Sequence, residues 1–220
     1  MIFPERAILE LTKYFVSFTR ENYFEETDKE KTYLYELFGN EPNMGNYNFF
    51  DNAVAIFTTE EDHPKHIEVH LGLNQERFAP PTIHITMPNE KLSPVNGIGY
   101  DFMFLSKNYQ PDDPMKLSWT NSRNFNAIYN VVFTSDNTFE TLIMYRWFQS
   151  CFIGNIELPE YMGLQQCVPS GGDIDLMDHL GIPNIYSKAF GLECIYEITA
   201  PNFNKYHIPT KVRFIGKLIP

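Results

Sequence analysis

Residues 63–70, HPKHIEVH, place three imidazoles and a carboxylate close together, and His84 follows in sequence. In a β-strand, residues two apart share a face. His66, Glu68 and His70 then form one row, and Ile67, Val69 and Leu71 form the other. Two imidazoles and a carboxylate are suitable ligands for zinc or non-haem iron. If residues 82–87 pair beside this strand, His84 joins the set. The same alternation describes a half-buried strand whose polar face needs no ion. The helical HExxH spacing of zinc peptidases is missing. The reading adopted is that no metal is held, with a metal-binding β-rich protein or metalloenzyme using His66, Glu68, His70 and His84 as the alternative.

A second group is Gly171, Gly172, Asp173 and Asp175, with Asp178 and His179 just after. Such carboxylates can hold calcium or magnesium. The EF-hand spacing is absent, and a capped turn opening the short helix DIDLMDHL explains the residues. The run Asn96, Gly97, Ile98, Gly99 lacks the third glycine of a dinucleotide fingerprint, and neither a Walker loop nor a GxSxG elbow occurs. Cys151, Cys167 and Cys194 include no CxxC pair, and an odd count is no disulfide framework. Reduced thiols are the expectation. Cys167 as a nucleophile needs a partner histidine that the sequence does not place. No catalytic residue, no cofactor and no enzymatic activity are expected.

Composition narrows the partners. Seventeen basic against 28 acidic residues give a formal charge of −11. Such a surface repels phosphate backbones and anionic membranes, so specific nucleic-acid or membrane binding is not expected. The basic residues Lys205, Lys211, Arg213 and Lys217 fit the solvated side of a strand. Aromatic content is 15%, enough for a heavy core or for buried subunit contacts. No apolar run approaches the ~18 residues of a membrane span. Glu5 and Arg6 stand where a signal peptide needs apolar residues. Synthesis in the cytoplasm is expected.

These side chains must be held by elements that the pattern outlines. Pro4 suits a first helical turn, and Ile8, Leu11, Phe15 and Phe18 give a helix over residues 4–20 one apolar face. Residues 21–50 are polar and turn-rich and read as a loop excursion with one helical turn near 33–37. Strands are expected at 53–58, 66–73, 82–87 and 101–105, with prolines marking 82–87 as an edge strand or as strand ends. A turn over 89–100 and a loop over 108–114 separate them. A strand at 124–133 leads to Ser135, Asp136 and Asn137, all good helix caps, and to a helix ending at Gly154. That helix is apolar nearly all round and so must be buried on more than one side. Residues 155–184 read as irregular, 189–199 alternate as a strand, and 208–219 form a last strand. The expected class is α+β: one domain over 1–220, a mostly antiparallel sheet, an N-terminal helix and one long buried helix packed on it. The extended loops at about 21–50 and 155–184 are expected to settle on a partner chain.

The pattern SRNFNAIYNVVFTSDNTFETLIMYRWFQSCFI resembles neck and tail-completion proteins of tailed bacteriophages, of the tail-terminator type. The matching residues are Arg123, Phe125, Ala127, Tyr129, Ser135, Asn137, Glu140 and Tyr145. The segment HIEVHLGLNQERFAPPTIHITMPNE is similar to the strand–arm–strand part of such virion proteins. The resemblance implies a non-catalytic structural subunit of the virion, made in the host cytoplasm. It further implies a homo-oligomeric ring at the head–tail junction or tail end, contacts with neighbouring neck or tail proteins, and a lumen through which DNA passes.

Overall fold

The computed structural model describes residues 3–63, 65–74, 76, 78–86, 90–92, 104–109, 117–171 and 184–201. Helix α1 (Pro4–Glu25) opens on Pro4, whose missing N–H costs nothing in a first turn. Ile8, Leu11 and Phe15 make its buried face. Thr12 and Thr19 also lie in that face, and their hydroxyls donate to Ile8 O at 2.7 Å and Phe15 O at 2.8 Å. Phe18, expected on the apolar face, is 42% exposed.

Residues 21–50 hold several helical pieces rather than one loop excursion, and the helical turn expected near 33–37 is among them. A 3-10 turn (Lys29–Lys31) leads into α2 (Tyr33–Phe38), and α3 (Phe49–Thr58) begins before the segment ends. Leu34 and Phe38, one helical turn apart, are buried in the chain's own core. Helix α3 replaces the strand expected at 53–58. Asn48 caps it by accepting from Asp51 N at 3.1 Å, and Ala53, Ile56 and Phe57 recur at helical spacing on the buried side. A short apolar run fits either period, and here the cap decides.

The described strands are β1 (Glu68–Leu71), β2 (Thr82–Thr86), β3 (Glu90–Leu92), β4 (Phe104–Tyr109), β5 (Leu117–Ser135), β6 (Leu164–Gly171) and β7 (Tyr186–Pro201). They form one sheet in the order β1-β2-β5-β7-β6, and β3 and β4 also pair with β5. Only the β1–β2 pair is parallel. Strand β7 pairs with β5 from Thr120↔Pro201 to Ser135↔Tyr186 without a break. The opposite edge of β5 must therefore take β4, β3 and β2 in turn.

Residues 82–86 lie between β1 and β5, so of the two readings of the prolines the edge strand fails and the strand end holds, with Pro80 and Pro81 just before the strand. Residues 155–171, expected to be irregular, contain α5 (Leu158–Tyr161) and β6. Strand β6 stands at the sheet's end, where Pro169 is tolerated. The Asn96–Gly97–Ile98–Gly99 turn, Asp173–Asp175 with Asp178 and His179, the strand at 208–219 and the Lys205, Lys211, Arg213 and Lys217 run lie outside the described residues.

Helix α4 (Thr138–Gly154) is capped by Asn137, which accepts from Phe139 N at 2.9 Å. Its Phe148 meets Phe133 and Phe190 of the sheet at ring-centroid distances of 5.7 and 5.4 Å. On another side Phe148 meets Phe15 of α1 at 6.0 Å, and Trp147 meets Phe57 of α3 at 4.5 Å. Trp147 Nε1 donates to Thr19 Oγ1 at 2.8 Å. Neighbours on both sides explain a helix that is apolar nearly all round. The chain is an α+β protein with a mostly antiparallel sheet, an N-terminal helix and a long buried helix.

Candidate functional site

Parallel pairing of β1 and β2 sets His70 beside His84. Ile83 and Ile85 point into the helix-side core, so His84 faces the other way. Asn74 and Phe78, from the connection between the two strands, lie against that second face at His84. Gly72 turns with φ +79°, and its N–H donates to Ile85 O at 2.8 Å. Phe78, itself buried, meets the His84 ring at 5.1 Å.

His84 is fully buried. Asn74 N–H donates to its Nδ1 at 3.4 Å, and Nε2 lies 3.1 Å from Thr134 Oγ1. A backbone amide can only donate, so Nδ1 accepts and Nε2 carries the proton. Burial is the main reason its pKa falls to about 4; a backbone hydrogen bond at Gly72 opposes that, and His70 adds to it weakly. The ring is neutral at ordinary pH, and both nitrogens are engaged.

Glu68 Oε2 lies 2.8 Å from His70 Nε2, and the His70 and His84 rings stack at 6.0 Å. His66 is held elsewhere. Its Nδ1 is 3.0 Å from Thr59 O and 3.3 Å from Arg20 Nη2. Arg20 Nε also donates to Phe57 O at 3.0 Å, so this cluster ties α1 to the C-terminal end of α3. The structure thus brings Glu68, His70 and His84 together and sets His66 in a buttress between helices. Among the described residues, no three His, Cys, Asp or Glu side chains are arranged to hold a metal ion.

Two open grooves flank these elements. One, of about 340 Å³, runs between α1 and β1 and is lined by Lys13, Arg20, Glu61, His66, Glu68 and His70. The other, of about 330 Å³, lies among α2, α3 and α4, with Leu37, Phe38, Phe49 and Leu142 beside Glu41 and Arg146.

The sheet surface turned away from the helices carries features that motif reading passed over. Ile128 of β5 is 46% exposed and Val168 of β6 is 44% exposed. Glu193 of β7 pairs with both, forming one cross-strand row. Asn126 Nδ2 donates to Glu193 Oε1 at 2.7 Å. The alternation of Asn124, Asn126, Ile128 and Asn130 against Phe125, Ala127 and Tyr129 was the available signal. These elements define an α+β protein whose helices, among the described residues, cover one face of the sheet. No protein-family model matches the chain, and no curated protein matches it.

Proposed function

We propose that this chain is a structural subunit of a tailed-phage virion, assembling with its own copies into a ring at the neck or tail end. The observation that carries the reading is the sheet surface away from the helices. There Ile128 and Val168 stand exposed on either side of Glu193, across three adjacent strands. A ring needs one patch that meets a different patch on the next copy, and an apolar row with a charged centre suits such a contact. Strand length supports it as well. The 19 residues of β5 span about 60 Å, whereas a compact chain of this size has a radius of gyration of about 17 Å. A strand that long extends the sheet and offers surface to neighbours. The net charge of −11 suits a lumen that DNA traverses without adhering. Neighbouring neck or tail proteins are the remaining partners. Native mass spectrometry with negative-stain microscopy tests the reading: closed rings support it, and a monomer at all concentrations contradicts it.

A further inference from the structure

We propose that Cys167 and Cys194 are a disulfide site, at which β6 is covalently fastened to β7 under oxidising conditions. The two residues oppose each other in the β6–β7 register, and their Sγ atoms lie 3.0 Å apart. Opposed residues of an antiparallel pair have Cα atoms about 4.5–5.5 Å apart, within the span that a disulfide bridges. The third thiol, Cys151, is in α4 beside Tyr33 and Thr19, and burial pushes its pKa up to about 12. The odd cysteine count thus resolves into one pair and one buried single thiol.

The order of reaction follows from position. Cys167 sits on the strand at the sheet's end, 8% exposed, between exposed Gln166 and Val168, whereas Cys194 is fully buried. With glutathione disulfide as the oxidant, the Cys167 sulfur attacks one sulfur of that reagent. The S–S bond of the reagent breaks, a mixed disulfide forms, and the first glutathione leaves with the Cys167 proton. The Cys194 sulfur then attacks the Cys167 sulfur, and the second glutathione leaves with the Cys194 proton. Two electrons pass from the protein thiols to glutathione disulfide. The Cys194 thiol is held far above its ordinary pKa, first by its hydrogen bond with Cys167 and then by burial. Cys194 thiolate is therefore scarce in the intact fold, and with Cys194 buried the second step takes place during folding or when β6 opens locally.

The test refolds the full chain from denaturant in reduced and oxidised glutathione, confirms folding by circular dichroism, alkylates under denaturing conditions and weighs the product. The expected result is one alkyl group per chain in place of three. A linked peptide pair carrying Cys167 and Cys194 accompanies it. The urea midpoint rises on oxidation and falls back with dithiothreitol. Cys151→Ser keeps the link and takes no alkyl group, while Cys194→Ser loses both the link and the midpoint shift. The same count on native protein dialysed for days against that buffer needs no refolding. Three alkyl groups in both preparations, a lasting glutathione adduct at Cys167, or a link through Cys151 overturns the assignment.

Discussion

Acid should unfold this protein partly through one residue, His84. Its pKa is lowered to about 4 in the folded chain, chiefly by burial, against about 6.5 for a solvated imidazole. A depressed folded pKa means that the unfolded chain binds the proton first. The stability from keeping His84 neutral is fully present above pH 6.5, declines as pH falls, and is gone below pH 4. Applying the linkage relation to these two values, acidification from pH 7.5 to 4.5 removes about 2.5 kcal/mol through this group alone. Other groups titrate in the same range, so the variant His84→Gln supplies the reference. Glu68 and His70 stand beside the ring in both proteins. Glutamine can keep a hydrogen bond to Thr134 and does not titrate. Urea unfolding of both proteins, followed by circular dichroism at a series of pH values, gives the comparison. The variant starts less stable at pH 7.5, and its deficit shrinks by about 2.5 kcal/mol at pH 4.5. Parallel pH curves for the two proteins would refute the burial argument.

Other substitutions test the remaining structure. Phe148→Ala empties a fully buried site between Phe15, Phe133 and Phe190 and should cost about 4 kcal/mol in urea unfolding. Gly72→Ala meets no atom within 4 Å but must adopt φ +79°, so it should cost about 1 kcal/mol from backbone strain alone. Elemental analysis of protein purified without chelator should find no stoichiometric zinc or iron. Metal at one ion per chain, lost on replacing His66 and His70, would instead favour the alternative metal-binding reading.

Legibility in the sequence depended on whether a signal was local. The start of α4 was readable because Ser135, Asp136 and Asn137 are all cap-forming types followed by an acid, and Asn137 does cap the helix. The alternation of Leu192, Cys194 and Tyr196 likewise foretold the buried side of β7. Helix α3 was not readable, since 53–58 is too short to separate the two periods and its cap lies five residues upstream at Asn48. Strand β6 was hidden by its glycine and proline neighbours, and only its pairing with β7 makes it a strand. The histidine row was legible as a row, but its division was not. His66 is claimed by Arg20 from a distant helix, and His84 is buried by Phe78 from a segment with no periodicity. The pairing of Cys167 with Cys194 depends on strand register, which spacing alone does not reveal.

The most direct test of the assembly proposal is the mass of the particle in solution, read for the unaltered chain and for Ile128→Arg side by side. Ile128 points away from the helix-side core and is about half exposed, so the substitution should leave the urea midpoint within about 0.5 kcal/mol of the parent. The account predicts a discrete multiple of the 25.7 kDa subunit for the unaltered chain and free subunits for the variant. A parent that is monomeric at every concentration would contradict it.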